Sequence, residues 1–336
     1  MATISVIMPV YNAARFLREA LASVQAQTFT DWECICVNDG STDDSAAIIR
    51  EMMNQDSRIV LVEHVNEGLG PAPVRNYGVT YAKAPLIFFM DADDLLYPKA
   101  LETLYRVIQE TDAEVAWGRI QQFVDELPMQ VESGEVRVIE GAALQKWVNE
   151  RFSQPNQMDV FWGIPVEVWG KLFKRDLIER NPQPEDLRVG EDSVFNAILF
   201  QQVRRVGVVD ALIYGYRQVA SSLYHQRSEA WVTGYTKAYC RILDLYVDDP
   251  SFCRNYLNQP LRTGFIRMVF TDGVVAKQKA LYPAIQQMCN AFLTHPASYC
   301  INSKLKWWLW LGAHQWWGLL RWSYKRSTLY KKSLNW

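Results

Sequence analysis

Little in this chain belongs to exported or redox-active proteins. Its 336 residues include six cysteines, Cys34, Cys36, Cys240, Cys253, Cys289 and Cys300, and four histidines, His64, His225, His295 and His314. No CxxC pair and no histidine at ligand spacing stands among them, which excludes a zinc ribbon or a disulfide framework and leaves the cysteines as reduced core thiols. There is no Walker loop, no nucleophile elbow and no GxGxxG, so nothing suggests a P-loop nucleotide hydrolase or a dinucleotide-dependent dehydrogenase. The first residues, MATISVIMPVYN, lack a basic stretch followed by a long apolar run. No secretory signal is read, and a cytoplasmic location is expected. Internal repeats and low-complexity linkers are also missing.

What is present is apolar and unevenly charged. A hydrophobic content of 49% is ample for a buried core in one large domain or two ordinary ones. The net charge of −2 hides an asymmetry, because residues 304–336 carry seven Lys or Arg and no acid, while the remainder holds 28 basic against 37 acidic residues. The two parts are expected to face different surroundings. The acidic remainder gives no footprint for nucleic acid.

Short apolar runs alternate with helical spacing from the start. ISVIMPV, WECICVND, RIVLVEH and PLIFFM read as buried strands. AARFLREALASVQAQ places Phe16, Leu17, Ala20, Leu21 and Val24 on one helical face, and GSTDDSAAIIREMM and APVRNYGVTYA supply two more helical stretches. This βαβαβαβ order implies a mostly parallel α/β sheet covered by helices on both faces. Ligands of such sheets bind beyond the carboxyl ends of the strands, where Val10 to Asn12, Asn38 to Gly40, Asn66 to Gly68 and Asp91 to Asp94 collect. Residues 114–123 read as a further strand, 141–152 as a helix, EVWGKLFKRDLIER as a strand running into a helix, and VGEDSVFNAILFQQV as a helix with Glu191 and Asp192 in its first turn. From about residue 228 the spacing is helical.

FFMDADDLL drives Asp91, Asp93 and Asp94 onto the end of an apolar run. One or two acids suffice to end a strand in water. Three within four residues repel one another unless a cation or a set of donors offsets them, so a cation site stands beside the solvated strand end as a reading.

Taken together, VIMPVYN, VNDGSTDDS, NEGLGPAPVRNYG, DADD, WGKLFKR and GEDSVFN resemble the inverting family-two glycosyltransferases with the GT-A fold, over about residues 3–217. The resemblance implies a Rossmann-like nucleotide-binding half (1–112) and an acceptor-binding half (113–217); the helical spacing beyond reads as a helical extension (218–303), and the Trp-, Lys- and Arg-rich residues 304–336 as a separate tail. It also implies a nucleotide site of Pro9, Tyr11, Asn12, Asp39, Asn66, Arg75, Asp91 and Ala92, with Asp39 accepting from the uracil imide N–H. Asp93 would hold Mn2+ or Mg2+, Asp91 would contact the ribose or the metal through water, and Asp94 would complete the acidic rim. Asp192 would be the base that takes the acceptor proton, with Glu191 beside it. Trp169 and Lys171 would shape the sugar and acceptor cleft, and Arg217 and Ser221 would lie near the diphosphate. Each has an ordinary counterpart: NDGS is good turn chemistry, acids in a first turn suit the helix dipole, and a Trp can be core. Pro71 and Pro73 depart from the family's usual residues, and because proline is tolerated in a first helical turn, the third helix is expected to begin later than usual.

The expected function is inverting transfer of a sugar from a nucleoside diphosphate donor, a UDP-sugar, to a glycan or lipid-linked acceptor of surface polysaccharide or lipopolysaccharide. A sugar nucleotidyltransferase and a noncatalytic carbohydrate- or partner-binding protein are the alternatives. The tail carries seven of thirteen tryptophans. Its uncharged stretch, residues 307–320, is too short to span a bilayer. It reads as an in-plane amphipathic anchor on an anionic membrane surface, at the inner face of the plasma membrane, or as a helix packed on protein. The sugar, linkage, metal and oligomeric state stay open.

Overall fold

The structure is a computed structural model that describes residues 2–128, 134–153, 167–218, 228–258 and 260–327. Two compact units emerge, Met1–Trp147 with Asp159–Ala220, and Val148–Met158 with Ser221–Trp336. The first opens as the sequence pattern demands: β1 (Ile4–Val10), α1 (Ala14–Gln25), β2 (Trp32–Asp39), α2 (Ser45–Gln55), β3 (Ile59–His64), α3 (Pro71–Tyr81) and β4 (Leu86–Phe89). It continues through β5 (Leu95–Leu96), α4 (Ala100–Thr111), β6 (Val115–Phe123), β7 (Val136–Glu140), α5 (Gly141–Ser153), β8 (Lys171–Lys174), α6 (Arg175–Arg180), α7 (Glu191–Leu199) and β9 (Arg205–Arg217).

The strands form one nine-stranded sheet in the order β3-β2-β1-β4-β8-β6-β9-β5, with β7 on β9. The β1–β2, β2–β3 and β1–β4 pairings are parallel, which is why these strands are apolar on both faces. Beyond β4 the sheet is mixed, since β8 runs antiparallel to both β4 and β6 while β9 is parallel to β6. The reversal at β8 carries the chain back through Arg175–Arg180 to the rim opposite the DADD segment.

Two sequence expectations change. Pro71 does not delay α3 but starts it, occupying the first turn, where a missing N–H costs nothing and the fixed φ suits the helix. Phe16 leaves the core face of α1, which buries Leu17, Ala20, Leu21 and Val24; its ring lies 4.8 Å from the Arg217 guanidinium instead.

The helix α3 presses close to the sheet at one glycine. A Cβ on Gly78 would meet Ile7 Cγ2 at 2.6 Å and Val37 Cγ2 at 2.9 Å. Arg75 lies on the same helical face one turn earlier, so this approach also sets the depth at which its side chain is buried.

The second unit is helical, with α8 (Glu229–Leu245), α9 (Pro250–Asn258), α10 (Pro260–Val269), a π-helical turn (Phe270–Val275), α11 (Tyr282–Thr294), α12 (Ser303–Ala313) and α13 (Trp317–Lys325). The inner faces of α12 and α13 belong to its core: Leu305, Trp308, Leu309, Leu311, Leu320 and Tyr324 are buried. Trp308 packs edge-on to Tyr324, and its Nε1 donates to Ser323 Oγ at 2.9 Å. Gly312 lets α12 meet Cys289 of α11, where a Cβ would stand 2.5 Å from the sulfur. No helix among the described residues is long and apolar enough to cross a membrane.

Gly78→Ala is expected to lower stability by about 1–3 kcal/mol, the usual cost of forcing a methyl into a packed contact. Urea unfolding should show a lower midpoint at unchanged slope; an unshifted midpoint would mean that α3 can back away from β1 and β2 freely.

Candidate active site

The strand ends are tied together by short polar side chains. At the end of β1, Asn12 adopts a φ of 49°, its N–H donates to Ser41 Oγ at 3.0 Å, and its Oδ1 accepts the Thr42 N–H at 2.8 Å. Asn66 caps its own loop, accepting the Gly68 N–H at 2.7 Å, and its Cβ closes on Gly40, which sits at φ +64°. Asn12 and Asn66, both expected at the nucleotide, therefore hold the β1, β2 and β3 end loops in place. Pro9 pairs with Val37 one residue before β1 ends, and Tyr11, just past that end, is 56% exposed.

Asp39, the last residue of β2, is buried, and its Oδ1 lies 2.6 Å from His64 Nδ1. These two residues line a cleft of about 320 Å³ with Leu69, Pro73, Asn76 and Tyr77. His64 carries no spacing signal. Only the register that pairs it with Asp39 across β2 and β3 reveals it.

Arg75 is the centre of the second cluster. The residue is 2% exposed, and Nη2 donates to Asp91 Oδ1 at 2.8 Å while Nη1 donates to Asp192 Oδ1 at 3.1 Å. Glu191 Oε1 is 3.8 Å from Nη1, and Gln183 Oε1 accepts from it at 3.4 Å. Burial works against the charge on Arg75, but Asp91, Asp192 and Glu191 outweigh it and raise its pKa. Asp192 moves upward, because burial exceeds what Arg75 returns. Glu191 is pushed up to about 8, by burial first and then by the charge of Asp192. Residues 117 positions apart in sequence are thus joined through one side chain.

The DADD segment divides its work. Asp91 faces Arg75 and receives support at its N–H, which donates to Tyr214 Oη at 3.0 Å. Ala92 is buried and has no reactive side chain. Asp93 is pushed up to about 6, by burial and then by Asp91. Asp94, expected on the rim, is fully buried. It accepts from the Arg217 N–H at 2.8 Å and the Tyr214 hydroxyl at 2.7 Å, and is pushed up to about 9 by burial and by the charges of Asp91 and Asp93. Arg217 closes the back of this segment, donating from Nε to the Asp93 carbonyl and from Nη2 to Glu19. Its guanidinium lies between the Phe16 and Phe123 rings. Trp169 stacks between Tyr214 and Tyr216 at centroid distances of 4.7 and 5.1 Å. Lys171 is fully buried rather than solvated, and donates to the Glu167 carbonyl. Ser221 lies outside the described residues.

The donor set suits a hard divalent cation. Asp91 and Asp93 offer carboxylate oxygens, and the raised Asp93 marks a place where added positive charge would be favourable. No group of three or more His, Cys, Asp or Glu among the described residues could hold a metal alone. Two carboxylates with the rest of the shell from phosphate and water is the pattern a phosphate-bridging Mg2+ or Mn2+ adopts.

Residues 5–180 match the glycosyl transferase family 2 profile, and the chain belongs to that family. It is 32% identical over 234 residues to the glycosyltransferase GlyA of Streptococcus pneumoniae, covering 68% of this chain and 32% of that one. It is 31% identical over 226 residues to the uncharacterized glycosyltransferase EpsJ of Bacillus subtilis, covering 66% and 62%. The chain therefore spans a third of the first relative and under two thirds of the second. The S. aureus TarS 1–349 complex with UDP-GlcNAc superposes with a TM-score of 0.70 at 18% identity, over 99% of this chain and 92% of that one. The mannosyltransferase PcManGT of Pyrobaculum calidifontis, solved with GDP-Man and Mn2+, gives 0.53 at 16%, over 98% and 88%. The fold is the α/β GT-A sheet expected from the sequence, followed by C-terminal helices.

Asp94→Asn copies the protonated acid and is expected to keep stability within about 1 kcal/mol at pH 7, whereas Asp94→Ala strands two buried donors and costs about 2–3 kcal/mol. The folded carboxyl keeps its proton to about 9, so wild-type stability should decline as pH rises from the ordinary aspartate range toward that value, a contribution Asp94→Asn lacks. Equal destabilisation by both substitutions in urea titrations would show that the ionised carboxylate is required.

Proposed function

We propose that this chain is an inverting glycosyltransferase that moves one sugar from a UDP-sugar to a hydroxyl of a glycan or lipid-linked acceptor in surface polysaccharide or lipopolysaccharide synthesis. The observation that carries the reading is the Arg75 guanidinium, which holds Asp91 on one nitrogen and Asp192 on the other. Leaving-group chemistry and proton removal need groups on the two sides of one anomeric carbon. A single buried cation fixes a candidate for each.

In this reading the uracil ring stacks on exposed Tyr11 beside Pro9, and its imide N–H donates to Asp39, whose other oxygen is oriented by His64. Asn12 and Asn66 keep the loops around the base in shape. Asp93 and Asp91 would hold a divalent cation, Mn2+ or Mg2+, which when bound offsets the charge that builds on the departing diphosphate. The Mn2+ of the PcManGT complex supports this reading, as does the UDP-sugar of the TarS complex. Ala92 allows close approach of the ligand to the backbone. Arg75 keeps Asp91 aimed while the donor binds. As the acceptor oxygen forms its bond to the anomeric carbon and the bond to the β-phosphate oxygen breaks, Asp192 takes the acceptor proton. Burial makes Asp192 a stronger base than a free aspartate, and Glu191, held up to about 8, keeps its proton at neutral pH and leaves Asp192 as the ionised member. A peripheral position at the cytoplasmic face of the plasma membrane would bring the enzyme to a lipid-linked acceptor.

Asp93→Ala is expected to abolish transfer together with the metal-dependent part of UDP binding, read by thermal shift with and without Mn2+. Undiminished Mn2+ dependence in that variant would move the cation elsewhere. Asp192→Asn should retain UDP affinity and lose turnover by roughly a hundredfold or more. In the wild type, kcat should rise with pH above the ordinary aspartate range, because the base must first lose its proton. Loss of UDP binding in Asp192→Asn with normal turnover at saturation would refute the assigned role.

A further inference from the structure

The outer face of α12 and α13 is the reverse of their inner one. Trp307 and Trp310 on α12 are each 42% exposed, Trp316 at the turn is 54% exposed, and Leu319 and Trp322 on α13 are 38% and 52% exposed. The patch is continuous across the turn, since the Trp310 and Trp316 rings lie 5.9 Å apart between centroids. Half-exposed indoles of this number leave on the order of 400 Å² of ring surface, the size that marks an interaction site on a soluble protein. Ordinary folding would have turned these side chains inward, as it did Trp308.

The charges around the patch say what it meets. Lys304, Lys306, Lys325 and Arg326 are exposed on or beside the same two helices, and residues 301–327 contain no Asp or Glu. The Arg326 guanidinium lies 4.5 Å from the Trp322 ring centroid, so cation and indole present themselves side by side. An apolar protein partner would match the rings and leave the cations unpaired. An anionic lipid surface matches both: indoles prefer the headgroup level, and Lys and Arg reach phosphates from the same depth. Neither helix is long enough to span the bilayer, at 11 and 9 residues, and neither needs to, because each is already anchored to the protein by its inner face.

We propose that the exposed face of α12 and α13, formed by Trp307, Trp310, Trp316, Leu319 and Trp322 together with the exposed Lys and Arg of these helices, is an interfacial binding site for anionic membrane. The helices lie in the headgroup plane as a rigid, folded platform, so binding requires no new secondary structure. This deepens the peripheral location proposed above but does not depend on the transfer chemistry.

The test uses the full chain and sedimentation with large unilamellar vesicles of phosphatidylcholine alone or with phosphatidylglycerol. The wild type should partition at least tenfold more strongly onto the anionic vesicles, and less so at high salt. Trp310→Ser with Trp316→Ser and Trp322→Ser should weaken that partition at least tenfold while UDP binding stays unchanged and unfolding stays cooperative, since none of the three side chains is in the core. Lys304→Glu with Lys306→Glu and Lys325→Glu should remove the preference for anionic lipid. Failure of the wild type to bind vesicles, or equal binding by the Trp variant, overturns the proposal. So does a concentration-dependent dimer in light scattering that the Trp substitutions abolish in the absence of lipid binding. Because UDP binding is read separately, its loss would count against the transferase reading and leave the membrane site standing.

Discussion

One buried positive charge organises the acidic half of this molecule. Arg75 is the counter-charge for Asp91 and Asp192, with Glu191 beside them, at a site largely shielded from water. Taking a guanidinium out of water is costly, and only close pairing with hydrogen bonds offsets that cost. The fold supplies those conditions through several independent elements. Gly78 lets α3 lie against β1 and β2, Tyr214 holds the Asp91 backbone, and the segment after α6 brings the first turn of α7 to Arg75. Each depends on the others, which ties formation of the site to formation of the sheet.

The division of labour within DADD follows from the same arrangement. Only Asp91 and Asp93 present oxygens that a ligand or cation can reach. Asp94 has been withdrawn to serve Tyr214 and the Arg217 N–H, so the repulsion foreseen among three adjacent acids is reduced by protonating one of them. Arg217, held between two aromatic rings, supports the Asp93 carbonyl and leaves the carboxylate alone.

Much of this could be read from residue patterns, for physical reasons that also mark where reading stopped. The strands β1 to β4 are apolar on both faces, so a simple run of Val, Ile, Leu and Phe revealed them, and their carboxyl ends located the rim. The aim of Arg75 was hidden because its acceptors arise from segments far apart in sequence, and the two prolines before it suggested a later helix start. His64 was invisible for a related reason: its partnership with Asp39 exists only through strand register. Phe16 matched the helical period but was recruited by Arg217. In the tail, composition showed that tryptophan and positive charge coincide, whereas the split into a buried inner face and an exposed outer one required the packing of α12 and α13 on α11.

Arg75 neutralises the acids on both sides of the site, and replacing it with an apolar residue of similar length tests this most directly. Equilibrium urea unfolding of Arg75→Met should show a loss of about 3–5 kcal/mol at pH 8, the scale for breaking a buried ion pair from one side. The loss should shrink as pH falls and the stranded carboxyls take up protons. A loss below about 1 kcal/mol, or one that is the same at pH 5 and pH 8, would contradict the account.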